Sequence, residues 1–554
     1  MPNKELTTET RLLLAFVLVG IVLVGWNYIY KPPVVTPPIT VPAPVTQTTI
    51  EAPKPEPATP KIPIVVPGQV QASQAEDFAI ETDLYRVRFS NQGAVVLSWV
   101  LKAYKDGNGK PLDLVNTRSL LKVPEPFAVA FRNQSPPNDP NKGLYRVERS
   151  GDLGVTFEYS DGRTSTKKTF QFMQKSYLVE ITSQVVDNGV LLPHELTWRG
   201  GFGDQTIANP AAVEGTLYYD EANSKLVKNA LKSADKGPVT TSGQYSFAGV
   251  EDKYFAAVVL PAAGGLGLTT YSDPIPGPTG TDEKRIGAGV GGSGLNSFKL
   301  FIGPKDNEIL KSVNPKLDTL IDWGTWFGFI AKPLFFVLTW TAKHVTGENF
   351  GWAIVAVTIG INMVLFPLRF TSMKSSKKMQ ALQPQIAAIN AKYKDMPMRD
   401  PRQQEKQAEM MDLYKKNGVN PVGGCIPMVI QLPFLIAYYT VLGVAIEMRG
   451  ASWLWVHDLS QAETLAIRVL PVLLVVTQFL QQRMTPSPGM DPAQQKMMMF
   501  MPLVLGYMFY YQSAGLVLYW LTGGLVGIAQ QWLLNRGTPT PAVTVISPPP
   551  KKKK

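Results

Sequence analysis

Polar side chains interrupt the apolar runs in the C-terminal half of this chain. Thr358 and Asn362 lie one turn apart, and Arg369 returns to within about 20° of the same helical face. Gln431 lies in the next apolar run, and Gln478 in the run after that. Such groups can bond to one another, to water or to the polar atoms of a ligand while apolar residues surround them.

Further glutamines lie near the ends of these runs, at Gln481, Gln494, Gln495, Gln530 and Gln531. Nearly all of them fall in the half of each run that the topology derived below places toward the cytoplasm. Each amide could simply hydrogen-bond across a contact between helices, as amides often do in membranes. For the whole set we favour a second interpretation, a hydrated cavity open to the cytoplasm.

Signs of catalysis are few. The stretch GAGVGG at 287–292 matches G-x-G-x-x-G, but it follows a turn-rich segment and no helix follows it, so we predict a flexible loop. His194, His344 and His457 fall in separate regions, and the single cysteine, Cys425, excludes an intramolecular disulfide. We therefore expect no catalytic residues, no metal site and no cofactor.

The 554 residues divide into charged stretches and apolar runs of the length that crosses a bilayer. The first run, 11–30, ends in Trp26, Tyr28 and Tyr30 rather than in a cleavage site, so we predict an uncleaved anchor. Together with this anchor, the remaining runs predict six spans. These runs are 352–368, 422–446, 464–482, 493–511 and 514–534.

A water-soluble part separates the first span from the others. Residues 31–67 hold 12 prolines, which predicts a semi-rigid extended linker. From about 75 to 312, short period-two runs alternate with glycine-rich turns, which predicts an all-β sandwich. The apolar and aromatic segment 322–345 also carries Lys332 and Lys343, so it could be either a span or an interfacial helix.

Charge decides between these topologies. The connection 369–416 holds 11 basic against five acidic residues, and the chain ends in four lysines, so both are predicted to be cytoplasmic. Six spans then place both termini inside and the β domain outside. A seventh span at 322–345 would move the β domain across the membrane, so we assign that segment to the outer interface. Heptad-spaced apolar residues in the basic connection predict a helical hairpin, and Pro384 should kink its first helix or leave a carbonyl of that helix unpaired.

Four motifs resemble those of the YidC membrane protein insertase family. They are FPLRFTSMKSSKKMQALQPQI at 366–386, NPVGGCIPMVIQLPFLIAYY at 420–439, MDPAQQKMMMFMPLVLGYMF at 490–509 and SAGLVLYWL at 513–521. The resemblance covers the whole chain and is to the type with a large periplasmic domain. It implies an α-helical polytopic membrane protein with six spans, a five-helix insertase core and a separate all-β sandwich in the periplasm of a bacterium with an inner membrane.

The resulting domain scheme has six parts. They are an anchor at 1–30, a Pro-rich linker at 31–67, a periplasmic β-sandwich at 68–315, an interfacial amphipathic helix at 316–346, a five-span core at 347–536 that includes a cytoplasmic hairpin at 373–417, and a basic cytoplasmic tail at 537–554.

The resemblance also implies a function and a site. Such a protein would insert and fold nascent membrane proteins through a hydrophilic groove open to the cytoplasm and the lipid, alone or with the Sec translocon. Thr358, Asn362, Gln431 and Trp520 match groove positions of the family. Asn362 stands where the family usually has an arginine, so our hypothesis is that Arg369 supplies part of the missing positive charge.

The remaining expectations concern partners and competing functions. From its position we add Gln478 to the groove residues. The resemblance makes the hairpin a contact site for incoming substrates and targeting components, and its positive charge also suits anionic membrane lipids or the RNA of the ribosome. A polytopic solute transporter is the alternative function, although no internal repeat between the two halves is visible. A membrane-tethered β-domain enzyme is the third, and the absence of a convergent catalytic set in the sequence speaks against it.

Overall fold

The computed structural model describes residues 66–393, 402–418, 426–484 and 492–537, apart from 121, 133, 208, 263–264, 278–279 and 325. The predicted anchor at 1–30, nearly all of the linker at 31–67 and the tail beyond 537 lie outside the described residues. The described chain has a β domain followed by a helical region.

Nineteen strands make up the described β domain. They are β1 Asp77–Glu81, β2 Tyr85–Ser90, β3 Val95–Lys105, β4 Pro111–Asp113, β5 Ala128–Ala130, β6 Arg146–Ser150, β7 Gly154–Ser160, β8 Thr164–Phe172, β9 Leu178–Asp187, β10 Val190–Leu191, β11 Glu195–Trp198, β12 Gly215–Asp220, β13 Lys225–Ala230, β14 Val239–Gly243, β15 Tyr245–Glu251, β16 Phe255–Pro261, β17 Leu266–Pro276, β18 Asp282–Gly291 and β19 Leu295–Pro304.

These strands form three sheets whose neighbouring strands pair antiparallel. The largest runs in the order β13-β12-β15-β16-β19-β9-β8-β7-β6, with β10 paired to β9. A five-stranded sheet runs β14-β17-β18-β11-β5, and a four-stranded sheet runs β1-β2-β3-β4. In β8 every second residue is buried, which is the alternation that predicted a sandwich.

A buried histidine contacts two neighbouring strands of the largest sheet, β9 and β19. His194 is 1% exposed, and its Nε2 lies 2.8 Å from Ser183 Oγ and 3.1 Å from Asn296 Nδ2. Its Nδ1 lies 3.0 Å from the carbonyl oxygen of Leu192. Burial lowers the pKa of His194 to about 4, so the ring is neutral at pH 7 and is part of the packed core.

The GAGVGG stretch is not the flexible loop that its sequence predicts. Residues 282–291 form β18, which pairs with β11 on one side and with β17 on the other. A Cβ at Gly287 would lie 2.9 Å from Arg199 Cα, so glycine is needed there for close packing against a neighbouring backbone. The prediction was wrong because turn-like composition outweighed strand pairing, which one sequence does not reveal.

Ten α-helices lie in the described part of the chain. They are α1 Asn307–Val313, α2 Gly328–His344, α3 Phe350–Val364, α4 Phe366–Ala381, α5 Gln383–Lys392, α6 Arg402–Lys416, α7 Ile426–Val444, α8 Val469–Met484, α9 Pro492–Tyr510 and α10 Ala514–Gly537.

One stretch of the described helices, Ala514–Leu534 within α10, has the length and hydropathy of a membrane span. Four shorter apolar helices accompany it, at Phe350–Val364, Gln431–Val444, Val469–Met484 and Met497–Tyr510. A helix of 15 residues such as α3 rises only about 22 Å, less than the roughly 30 Å of a hydrocarbon core. The six predicted spans therefore remain a proposal.

The helices of the basic connection pack on each other. Leu382 and Ile386 form a small buried cluster with Leu413 and Tyr414 of α6. Pro384 lies in the first turn of α5, after α4 has ended at Ala381, rather than inside one continuous helix. A proline in a first turn gives up no helical hydrogen bond, so the kink predicted inside a continuous helix is a boundary between two helices.

One arginine joins the β domain to the helical region. Arg449 follows α7, and its guanidinium forms an ion pair with Asp204 and donates to the carbonyl oxygen of Lys105 at 2.7 Å. The same group lies 5.6 Å from the ring centroid of Tyr254 and 5.5 Å from that of Phe255. The Arg449 and Asp204 side chains are 5% and 0% exposed, so this contact is a buried one.

Candidate functional site

Helix α10 presents glycines to its neighbours. A Cβ at Gly524 would lie 2.9 Å from Thr477 Cγ2, and one at Gly527 would lie 2.6 Å from Gln481 Nε2. A Cβ at Gly523 would meet Asn362 Nδ2 at 4.0 Å, which is an ordinary contact. Small residues at helix contacts allow close approach in membranes, and here they bring polar side chains of α3 and α8 against α10.

Helix α3 contributes two fully packed polar residues. Thr358 is 0% exposed, and its Oγ1 donates to the carbonyl oxygen of Ile354 at 2.6 Å. Asn362 is 3% exposed, and its Nδ2 donates to the carbonyl oxygen of Thr358 at 2.7 Å. Gln530 of α10 reaches across, its Nε2 donating to the carbonyl oxygen of Asn362 at 3.3 Å.

Two acceptors in this contact have no protein partner. Asn362 Oδ1 and Gln530 Oε1 are buried, and neither accepts a hydrogen bond from any described residue. Leaving a buried polar atom unpaired costs about 1–3 kcal/mol. Both atoms are enclosed in the contact, so an enclosed water is the group that could donate to them in this packing.

Arg369 supplies the positive charge beside these residues. The partly buried Arg369 lies in the first turn of α4, and its guanidinium donates to Gln431 Oε1 of α7. Its NH1 lies 3.9 Å from the place where a Cβ of Gly527 would be. No carboxylate of the described residues forms an ion pair with it, and the hydrogen-bond partner of its guanidinium is the neutral amide of Gln431.

Helix α8 completes the arrangement, and Trp520 stands slightly apart from it. Gln478 Nε2 lies 3.9 Å from the place of a Gly524 Cβ. Trp520 is one turn before the glycines, but its half-buried ring packs on Phe509 at 4.8 Å between centroids. Of the six residues proposed from the sequence, Asn362, Arg369 and Gln478 thus lie beside glycines of α10. Thr358 joins them through its hydrogen bond with Asn362, and Gln431 through its hydrogen bond with Arg369. We call the following set the polar cluster: Thr358, Asn362, Arg369, Gln431, Thr477, Gln478, Gln481 and Gln530.

Sequence reasoning missed the glycines and Thr477. The stretch LTGGLVG at 521–527 contains Gly523 and Gly527 at the small-x-x-x-small spacing that marks close helix contacts, and this signal could have found them. Thr477 is 4% exposed, and its Oγ1 donates to the carbonyl oxygen of Leu473 at 2.7 Å. The side chains of Gln494 and Gln495 lie outside the described part.

The polar cluster can form hydrogen bonds with water or with a polar ligand, but its described residues have no catalytic arrangement. Its members are amides, hydroxyls and one guanidinium, and none of these described groups forms a nucleophile and base pair.

Comparison with known proteins identifies the family. Over 482 residues the chain is 34% identical to the membrane protein insertase YidC of Ralstonia nicotianae, and the match covers 84% of each chain. The chain belongs to the YidC membrane protein insertase family. This family consists of insertases, not enzymes, and the resemblance inferred from the four motifs is confirmed.

Other matches within the YidC family agree. The model of the YidC periplasmic domain matches residues 77–337, and that of the 60Kd inner membrane protein matches 340–541. The insertase of Polynucleobacter asymbioticus is 33% identical over 494 residues, which cover 83% of this chain and 84% of that one. A solved active YidC insertase with its first transmembrane domain resolved is 19% identical, with a TM-score of 0.36, over 86% of this chain and 95% of that one.

These matches define the coarse plan of the molecule. As in its YidC relatives, the β-sandwich is a periplasmic domain, and the helical C-terminal region belongs to an inner membrane protein.

Proposed function

We propose that this chain inserts and chaperones nascent membrane proteins through a groove whose wall is the polar cluster. The groove is open to the cytoplasm and to the lipid, and the chain works alone or beside the Sec translocon. The observation that carries the proposal is the guanidinium of Arg369, which has no acidic partner among the described residues and lies beside Gly527 of α10. The same helix contacts contain two buried acceptors without donors, Asn362 Oδ1 and Gln530 Oε1.

Physical chemistry explains why such a wall helps insertion. A polar segment that crosses hydrocarbon loses its hydrogen bonds to water, and each unsatisfied group costs several kcal/mol. Amides and hydroxyls of the polar cluster, with the water they hold, shorten the distance over which the segment stays unsolvated. The apolar part of the same substrate can meanwhile move into lipid along exposed residues such as Leu503 and Val504 of α9.

Arg369 adds attraction for acidic segments. At 4 Å, a carboxylate and a guanidinium attract by about 4 kcal/mol at an effective dielectric constant of 20. Asn362, at the position where the family usually has arginine, avoids the roughly 2.5–3.5 kcal/mol that a charge at a helix centre costs. Placing the charge seven residues further along the chain keeps the attraction and moves it toward the cytoplasmic end.

The proposed topology has six spans, with both termini and the hairpin at 373–417 in the cytoplasm. Its support is the charge of the basic connection, 11 basic against five acidic residues. We assign the hairpin a role in contacts with ribosomes, targeting components and anionic lipids, because it combines this charge with the small apolar cluster of α5 and α6. The segment 316–346, which contains α2, lies at the outer interface.

Reconstitution tests the proposed function. The purified chain is placed in liposomes, and a small single-span substrate is supplied with either an acidic or a neutral translocated tail. Protease-protected substrate is the expected result. Arg369→Gln should reduce insertion of the acidic-tailed substrate several-fold and change the neutral-tailed one little, because only the Coulomb attraction is lost.

Two further variants complete this test. Arg483→Gln, which removes an exposed charge at the end of α8, is the matched control and should behave as wild type. Asn362→Leu should reduce insertion of both substrates, because it removes hydrogen-bonding capacity rather than charge. If Arg369→Gln left the acidic-tailed substrate unchanged while Asn362→Leu abolished insertion, charge in the polar cluster would have no role.

A further inference from the structure

A cavity of about 420 Å³ lies apart from the polar cluster, where the end of the β domain faces α2. Its volume is in the range of about 300–1,000 Å³ that small-molecule sites occupy. Its lining combines acids, bases and aromatic rings, and the residues that matter are Asp306, Glu308, Lys332, Lys343, Trp340 and Glu447. No function of the polar cluster uses any of them.

Glu447 is an acid of this lining that has no cationic partner among the described residues. It follows α7, and no basic side chain of the described residues forms an ion pair with it. The pKa of Glu447 is raised to about 7, chiefly by burial and to a smaller extent by the carboxylates of Asp306 and Glu308, while a backbone hydrogen bond and Lys343 act in the opposite direction. A cationic ligand within the cavity would therefore stabilise the charged carboxylate.

The bases of the cavity are paired, but weakly. Lys343 Nζ lies 3.2 Å from Glu308 Oε1, and Lys332 Nζ lies 3.1 Å from Asp318 Oδ2. Both lysine side chains are more than half exposed, and exposed pairs of this kind contribute little. Either ammonium can therefore turn toward a phosphate without a large loss.

The rim of the cavity is aromatic and faces outward. Phe336 and Trp340 line it and are 68% and 49% exposed. They continue along α2 from Trp326 and Phe329, which are 72% and 74% exposed. Exposed aromatic side chains of this kind are typical of membrane interfaces, where they contact the glycerol region and the first part of the acyl chains.

We propose that this cavity binds the headgroup of a phospholipid that carries a primary ammonium, from the outer leaflet. The ammonium contacts Glu447, the phosphate contacts Lys332 and Lys343, and the acyl chains lie over Phe336 and Trp340. The inference rests on the proposed topology, which places α2 at the outer interface. A primary ammonium donates three hydrogen bonds, whereas a trimethylated one donates none, so the carboxylate should discriminate between them.

Lipid binding to the full chain provides the test. The purified protein in detergent is titrated with dioleoyl phosphatidylethanolamine, its N-methyl, N,N-dimethyl and choline analogues, and dioleoyl phosphatidylglycerol, and bound lipid is counted by native mass spectrometry. Affinity should fall stepwise with methylation, to about tenfold weaker for the choline lipid, which corresponds to about 1.4 kcal/mol. This series needs no variant and so does not depend on how a mutant folds.

Variants then locate the site. Glu447→Gln keeps the shape of the side chain and should abolish the preference for phosphatidylethanolamine over the choline lipid. Glu348→Gln, an exposed acid on the connection between α2 and α3 that does not line the cavity, is the matched control and should keep it. Lys332→Gln together with Lys343→Gln should weaken all phosphate-bearing lipids alike.

Equal binding of the ethanolamine and choline lipids would overturn the proposal, and so would an unchanged preference in Glu447→Gln. Full competition by soluble phosphoethanolamine at the same concentration would also overturn it, because it would show that no membrane lipid is required. Insertion is measured on the same preparations in liposomes. Preparations that insert substrate without lipid preference would reject the lipid site while the proposed function stands. Preparations that show the preference but insert no substrate would support the lipid site and reject the proposed function.

Discussion

Adjacent glycines of α10 should respond in opposite ways to the same added methyl group. A Cβ at Gly524 would lie 2.9 Å from Thr477 Cγ2, about half an ångström inside an ordinary contact. Thr477 cannot turn away freely, because its Oγ1 donates to the carbonyl oxygen of Leu473 at 2.7 Å. A Cβ at Gly523 would have Asn362 Nδ2 as its neighbour at 4.0 Å, where it fits.

The magnitudes follow from these distances. Overpacking costs about 1–3 kcal/mol, while replacing a helical glycine by alanine gains about 0.5–1 kcal/mol. Gly524→Ala should therefore lower the free energy of unfolding by about 0.5–2 kcal/mol, because the clash exceeds the gain. Gly523→Ala should leave it unchanged or raise it by up to about 1 kcal/mol.

The assay compares the two variants in one detergent. Unfolding of the helical region is followed by loss of the helical circular dichroism signal during heating, and insertion is measured in liposomes. Gly524→Ala should lose this signal at a lower temperature than wild type, and Gly523→Ala should not. Equal shifts in both variants would refute the reasoning, because they would mean that helix propensity, and not the contact with Thr477, decides stability at this face.

The other predictions concern the β domain and its attachment. Arg449→Gln should weaken the contact with Asp204 by about 3–5 kcal/mol, because it leaves a buried carboxylate unpaired. Amide exchange in the connection between α7 and α8 should therefore rise. Lys316→Gln breaks only an exposed ion pair, so it should change neither the strength of the contact nor the amide exchange. Because the pKa of His194 is lowered in the folded protein, the neutral ring contributes stability above about pH 6.5, and this stability is lost as pH falls toward 4. When the free energy of unfolding is measured across this range, His194→Gln should show a smaller dependence on pH than wild type. Burial raises the pKa of Asp252 to about 6, so this residue makes stability fall as pH rises. Asp252 is present in wild type and in His194→Gln alike, so it does not affect the comparison. An equal slope of stability against pH in the two proteins would contradict the role given to His194.

The β domain was predictable because its signal is local. Period-two alternation in stretches such as 85–90 reports on one strand at a time, and the structure has β2 there. The pairing of those strands is not local. That is why GAGVGG was assigned to a loop, although β11 and β17 hold it as β18.

The polar cluster was predictable in its membership but only partly in its geometry. Asn362 and Arg369 were placed on one face by periodicity, and both lie beside α10, even though α3 ends at Val364 and α4 begins at Phe366. What one sequence could not give is the identity of facing residues. The approach of Gln481 to Gly527 becomes visible only when two helices have been packed together.

The contact between Arg449 and Asp204 makes the two parts of the molecule thermodynamically dependent on each other. Asp204 is held in turn by Asp252, whose Oδ2 accepts from the Asp204 backbone N–H at 2.8 Å, so the β-domain side of the contact is rigid. Any partner that needs the β domain released must supply the free energy of this ion pair from its own binding. By reciprocity, a partner that moves the connection between α7 and α8 changes affinities at the β domain by the same factor.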